Sequence, residues 1–241
     1  MAITIWSLFG EVTNIHGDAG NATVLAERAR WRGIEAEVVE IGLADDVPAG
    51  EPDAIVIGSG FDADAVAVLE ALQRFEPAIR SAPDSHVPLL AVGLGWELCS
   101  ASVELEHAVI DGLGIFPGAA VAATRQTGDL VVETTWGRLT GYEYHLRDYR
   151  AAEGELALGD VASGIGRAPG TKLEGSIVGS AIGTALRGPV LARNGELADH
   201  LVFRIADLRG LPLSDPSSTL TRIDEFNAAI ATRTARALGL R

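Results

Sequence analysis

An apolar run, Leu89-Leu90-Ala91-Val92, stops at a glycine-spaced corner, Gly93-Leu94-Gly95, and the helix-compatible Trp96-Glu97-Leu98 follows. Strand, sharp turn and helix in that order are the layout of a nucleophile elbow, which pushes the corner side chain into a cleft where it can attack an electrophilic carbon. The corner residue here is Gly93, which has no side chain. The layout is one of covalent catalysis, and the attacking group is missing from it.

Two other glycine-bearing stretches are placed to serve the same cleft. One is the loop Asn14-Ile15-His16-Gly17-Asp18-Ala19-Gly20-Asn21. The other is the turn Gly58-Ser59-Gly60-Phe61-Asp62. The backbone N–H groups of Gly58-Ser59-Gly60 could face a carboxylate or a phosphate, or could form only a tight strand-to-helix turn.

Alternating segments must position these pieces. Ile3 to Leu8, Glu35 to Ile41, Asp53 to Ile57 and Leu89 to Val92 read as strands. Asn21 is expected to cap a helix running to Arg32, with Ala22, Leu25, Ala26 and Ala29 on one face and Gly33 ending it. Asp62 is expected to cap a second helix carrying Ala65, Val68, Leu72 and Phe75, with Pro77 ending or kinking it. Strands and helices at this spacing predict a parallel sheet with helices on both faces, and in such sheets the site lies beyond the carboxyl ends of the strands. Those ends are the 9–21 loop, the 58–62 turn and the 93–96 corner.

The rhythm changes after Ser100. Ala119 to Thr124, Leu130 to Thr135 and Arg138 to Tyr144 read as short strands, and Gly175 to Leu186 as one or two more. Asn194 is expected to cap a helix with Leu197, Leu201, Val202 and Ile205 inward. Leu211 to Ser218 reads as a Pro/Ser linker. Thr221 with Asp224 resembles a capping box opening a last helix with Ile223, Phe226, Ile230 and Ala237 on its inner face.

Four segments together resemble the class I glutamine amidotransferases of the cobyric-acid-synthase-like (CobB/CobQ) branch. They are the 14–21 loop, the 58–62 turn, the elbow with Asp111-Gly112-Leu113-Gly114-Ile115-Phe116, and a C-terminal block. That block runs from Thr140-Gly141-Tyr142-Glu143-Tyr144-His145 to Leu186-Arg187-Gly188-Pro189 and on to Leu197-Ala198-Asp199-His200-Leu201. Within the branch the likeness is greatest to the GatD group, the glutaminase subunits of lipid II isoglutaminyl synthases, which work beside a Mur-ligase-like (MurT-type) subunit. The resemblance implies a three-layer α/β fold with a central, mostly parallel sheet flanked by helices. The resemblance covers about residues 3–205; residues 1–210 are expected to form the amidotransferase-like domain, with 211–241 as a linker and a C-terminal helix packing on it.

The family's chemistry requires a cysteine thiolate at the elbow, activated by a histidine from the C-terminal block, with backbone N–H groups stabilising the oxyanion. The cysteine position is Gly93 and the histidine position is Arg187. Glycine has no nucleophile, and a guanidinium stays protonated with a pKa above about 12. Both departures fall on chemistry while their neighbours match, so no catalytic residue is assigned. The oxyanion or ligand-pocket candidates are Gly58, Ser59, Gly60, Leu94, Gly95 and His16. Arg125, which loosely matches a family arginine near the substrate path, joins them. Arg187 is expected to bind an anion, or to pair with Glu97 and fill the space left at Gly93. The resemblance implies no cofactor.

Other residues are weighed against plainer roles. Cys99, six residues after Gly93, lies on a helix face roughly 120° away and reads as a small buried hydrophobe. His145 and His200 are expected to hydrogen-bond a loop or helix end. No two histidines have a metal-ligand spacing. Of the 241 residues, 47% are hydrophobic and 22% charged, as in a globular protein, and the net charge of −14 disfavours nucleic acid and anionic membrane. No apolar run approaches the roughly 20 residues of a bilayer span. The opening Met1-Ala2-Ile3-Thr4-Ile5-Trp6 reads as a strand rather than a signal peptide, and the single cysteine precludes an internal disulfide, so a cytoplasmic location is expected. Three functions fit: a GatD-like binding or structural partner that has lost glutamine hydrolysis, an active subunit supplying ammonia to amidate lipid II glutamate or a corrinoid precursor, or a protein binding glutamine or a small anion in the altered cleft.

Overall fold

The computed structural model describes residues 2–240. Chain order is β1 (Ile3–Leu8), α1 (Gly20–Trp31), β2 (Ala36–Ile41), β3 (Ala54–Ile57), a 3-10 turn (Asp62–Asp64), α2 (Ala65–Arg74), α3 (Glu76–Ser85), β4 (Leu89–Val92) and α4 (Leu94–Leu98). Then come β5 (Ser102–Glu104), β6 (Val109–Asp111), β7 (Ala119–Thr134), β8 (Gly137–Arg150), β9 (Gly159–Ser163), β10 (Leu173–Glu174), β11 (Ser176–Val178), β12 (Ala181–Thr184) and β13 (Leu186–Arg187). Helices α5 (Val190–Arg193), α6 (Gly195–Arg209) and α7 (Ser218–Ala237) follow.

The first sheet has the order β11-β12-β4-β3-β1-β2, parallel throughout except for β11. Its inner strands are apolar on both sides, as parallel strands covered on two faces must be. Ile3 and Ile5, Ala54 and Val56, Leu90 and Val92 face one core with Leu25, Ala26, Leu201 and Ile205 of α1 and α6. Trp6 and Leu8, Ile55 and Ile57, Leu89 and Ala91 face the other, with Val68, Leu72 and Ile79 of α2 and α3 and Trp96 of α4. This is the expected layering, helix on sheet on helix.

The second sheet runs β10-β9-β7-β5-β6, with β8 on β7 and β13 on β8. Here the expected short strands are corrected. Ala119 to Thr134 is one long strand whose register slips between Ala122 and Gln126, and its partner β8 continues past Tyr144 to Arg150. The bulge absorbs the irregular, polar middle of β7, so a gap in apolar alternation does not end the strand.

Three expected caps are also corrected, each because the side chain has a long-range partner instead. Asn21 lies inside α1, donates to the Asp18 carbonyl and accepts from the Leu191 N–H at 2.9 Å, tying α1 to α5. Asn194 stands at the head of α6, but its side chain bonds both backbone groups of Thr140 and the Val190 carbonyl. Asp62 pairs with Arg147, as described below. Pro77 sits in the first turn of a new helix, α3, where it fits.

The last helix starts earlier than the capping box predicts. Ser217 caps α7 by accepting from the Leu220 N–H at 3.2 Å. Asp224 instead receives the guanidinium of buried Arg28, which also donates to Asp199 at 2.7 Å. The expected inner face is not inward: Phe226 is 66% exposed and Ala237 is exposed, while Leu220 and Ala235 are the buried α7 residues. An ion pair, more than an apolar stripe, fastens this helix to α1.

Candidate functional site

The site forms where three strand ends meet. Strand β4 ends at Gly93, whose N–H donates to the Thr184 carbonyl at the end of neighbouring β12 at 2.9 Å. Gly93 has φ 55° and ψ −117°, a backbone geometry that side chains rarely adopt. Helix α4 begins at once, and the elbow expected from the sequence is present. From the end of β3, the 58–62 turn packs against the 9–21 loop so closely that a Cβ on Gly58 would lie 2.9 Å from Asp18 Cβ and collide with the Thr13 carbonyl. The 9–21 loop reaches the turn through an Asn14–Ser59 bridge and an Ile15 N–H bond to the Ser59 carbonyl at 3.1 Å.

Arg187 arrives from the other sheet. After Thr184 the chain leaves the first sheet, and β13 pairs with β8, setting Arg187 opposite Tyr142. Its guanidinium lies where a side chain at Gly93 would go. A Cβ built there would overlap Arg187 Nη1 and Cζ, and would stand 2.5 Å from Ser59 Oγ. The expected filling of the elbow's space is therefore observed. The expected pairing with Glu97 is not: Nη2 donates to the Tyr144 carbonyl at 2.7 Å, and among the described residues Nε and Nη1 have no hydrogen-bond partner. Burial pushes the Arg187 pKa down, against the raising fields of Glu97, Asp18, Tyr142 and Glu174.

Glu97 is taken by Arg147. Arg147 Nε and Nη2 donate to Glu97 Oε2 at 2.9 and 2.7 Å, and Nη1 and Nη2 form a two-pronged pair with Asp62 at 2.7 Å each. The Arg147 hydrogen bonds hold the Asp62 carboxyl below the usual carboxylate range. Arg147, His145 and Glu143 are all buried and alternate along β8, so they share one face. His145 Nδ1 contacts the Arg147 carbonyl at 2.7 Å, and Nε2 lies 3.5 Å from Glu143 Oε2. Burial opposes charge on His145, but Glu143 and the carbonyl outweigh it and raise its pKa. His145 thus belongs to the cavity wall rather than a loop or helix end. His200 likewise stacks on Trp136, with ring centroids 4.6 Å apart.

The backbone donors expected to face a ligand are mostly turned to the protein itself. The Leu94 N–H donates to Ser59 Oγ at 3.3 Å, the Gly95 N–H to the Gly58 carbonyl at 3.1 Å, and the Ser59 N–H to Asp18 at 3.2 Å. A cavity of about 230 Å³ nevertheless opens beside them, walled by Ser59, Gly60, Leu94, Tyr144, His145 and Arg187, with Phe61 in its wall. His16 stands behind, edge-on to Tyr142 and Tyr144 at 5.4 and 5.6 Å. Burial and the Arg187 charge lower its pKa. Arg125 is exposed and touches the site only through Tyr144, 5.7 Å from that ring.

Cys99 is fully buried in the α2–α4 core, its thiol pushed up to about 12 by desolvation. Among the described residues no group of three or more His, Cys, Asp and Glu side chains is placed to hold a metal ion, and no helix is long and apolar enough to cross a membrane. Sequence reasoning missed Asp18 and Arg147. Asp18 is fully buried, accepting from the Ser59 and Gly188 N–H groups and joining the 9–21 loop to the 58–62 turn and to the chain just after β13. The alternation Glu143, His145, Arg147 would have disclosed Arg147 had β8 been read beyond Tyr144.

Residues 4–195 match the CobB/CobQ-like glutamine amidotransferase domain family. The chain is 30% identical over 213 residues to the GatD subunit of lipid II isoglutaminyl synthase (glutamine-hydrolyzing) of Staphylococcus aureus strain N315, covering 87% of each protein. It is 28% identical over 205 residues to the same subunit of Streptococcus pneumoniae strain ATCC BAA-255 / R6, covering 83% of this chain and 79% of that one. The fold is similar to that of PurLQS from Thermotoga maritima, with a TM-score of 0.59 at 14% identity over 84% of this chain and 98% of that chain. It also resembles a glutamine amidotransferase crystal structure, with a TM-score of 0.54 at 13% identity over 86% and 99%. Elbow, glycine turn and C-terminal block stand in one site within the matched span, and the chain belongs to the CobB/CobQ-like glutamine amidotransferase family.

Proposed function

We propose that this chain is a GatD-like subunit that has lost glutamine hydrolysis and serves as a binding or structural partner of a Mur-ligase-like subunit. The observation that carries the reading is the Arg187 guanidinium in the space of the elbow side chain. Hydrolysis of a side-chain amide by this fold needs a nucleophile on the elbow and a group to take its proton. Gly93 offers no atom for the first role. Arg187 is a donor-only group and cannot fill the second. The neighbours do not substitute: Cys99 is sealed in the core, and Ser59 Oγ is engaged by the Leu94 N–H. The relatives are named as subunits of a synthase, which supports a role in an assembly.

The test is ammonia release from glutamine by the purified chain, alone and with the ligase-like protein that co-purifies from the native host. No release in either case, with a stable complex, is the expected result. Release that persists in Cys99→Ala and Ser59→Ala variants would refute the loss of hydrolysis. Absence of any ligase-like protein in the complex would refute the partner.

A further inference from the structure

Among the described residues four arginines lie buried: Arg28, Arg147, Arg167 and Arg187. Two pair with carboxylates and a third has its donors taken by neutral acceptors. Arg28 meets Asp199 and Asp224, Arg147 meets Glu97 and Asp62, and Arg167 donates to the Gly175 and Leu156 carbonyls and Ser176 Oγ. Arg187 differs. It is 4% exposed, forms one hydrogen bond, to a backbone carbonyl, and among the described residues its Nε and Nη1 reach no acceptor. The nearby carboxylates are engaged elsewhere: Glu97 with Arg147, Asp18 with two backbone N–H groups, Glu174 with Thr184 Oγ1 and the Ala185 N–H. A buried cation with spare donors and no paired anion is costly unless something supplies the negative charge.

Arg187 forms part of the wall of the 230 Å³ cavity. We propose that this cavity binds a small organic monocarboxylate, its carboxylate on the Arg187 guanidinium and its apolar body against Leu94 and Phe61. The wall itself argues for a single negative charge. Asp62 and Glu97 also line the cavity, so with Arg147 and Arg187 its formal charge sums to zero. Both carboxylates are hydrogen-bonded to Arg147, only Arg187 keeps unused donors, and a dianionic phosphate would meet more repulsion from the two carboxylates than a monoanion does. The size suits a small organic molecule, since the volume equals that of about eight liquid waters. Phe61, 64% exposed, gives the apolar body a surface. The proposal concerns binding alone and holds whether or not glutamine is hydrolysed.

Titration of the full chain with butyrate, by calorimetry and by amide NMR, tests it, with inorganic phosphate and butyramide as comparators. Saturable binding of butyrate is expected, with the Gly60 and Leu94 amide signals moving. Phosphate and butyramide should bind about tenfold or more weakly, as should butyrate to Arg187→Met, while Arg233→Ala, a change at an exposed position of α7, binds butyrate as the parent does. Arg187→Lys keeps a positive charge and guards against a folding failure of the Met variant; it should retain part of the affinity. Absence of saturable butyrate binding by the parent chain would overturn the proposal. So would phosphate binding as tightly as butyrate, or affinity unchanged in a folded Arg187→Met variant.

Discussion

The guanidinium of Arg187 and the missing side chain of Gly93 occupy the same space: a Cβ on residue 93 would overlap Nη1 and Cζ of residue 187. The two departures from the family pattern are therefore coupled sterically. Gly93→Cys alone should destabilise the fold by about 2–4 kcal/mol, through overpacking and through the backbone geometry at φ 55°. Adding Arg187→His should recover part of that loss, with a coupling of about 1 kcal/mol or more. Urea denaturation of the parent, both single variants and the double variant checks this; additive effects would mean the two side chains do not compete for one volume.

Arg147 is the hub that binds the second sheet to the elbow. Removing it leaves Glu97, itself buried, without its cation. Arg147→Met is expected to cost about 3–5 kcal/mol, and the Arg147→Met/Glu97→Gln double variant less than the single. Chemical denaturation gives the numbers. A loss under about 1 kcal/mol for the single change would remove Arg147 from this role.

Two histidines beside the cleft should titrate on opposite sides of the ordinary value of 6.5. His145, raised, binds its proton more tightly folded than unfolded, so its stabilising contribution is complete below about pH 6.5 and disappears as pH rises through its folded value. His16, lowered, behaves in reverse: its contribution is complete above about pH 6.5 and is lost as pH falls. Side-chain NMR titration should show the two values, and Arg187→Met should move His16 upward by removing a nearby positive charge. An unmoved His16 would mean that burial alone sets its value.

Cys99 should resist alkylation in the native protein. Its thiol is buried and held near 12, so the reactive thiolate is scarce and out of reach. Iodoacetamide labelling followed by mass spectrometry should appear only with unfolding, at the rate at which the core opens. Rapid labelling of folded protein would contradict its burial.

Local sequence patterns determined the four parallel strands β1 to β4, the elbow and the glycine turn, but not that β11 and β12 complete the same sheet. The patterns are apolar runs of strand length, glycines where chains approach closely, and helix stripes such as Ala65, Val68, Leu72 and Phe75. The sequence also marked Gly93 and Arg187 as the positions where chemistry departs from the family. Tertiary structure decided which polar side chains meet. Asp62, Asn21 and Asp224 read locally as helix-start residues, yet their side chains answer to Arg147, Leu191 and Arg28, far away in the chain. A charged or amide side chain goes to the strongest partner within reach, and reach is set by the crossing of β12 into β13 and by the length of β8, neither of which local periodicity reports. That Arg187 stands in the space beside Gly93, rather than merely replacing a base, follows from the same crossing.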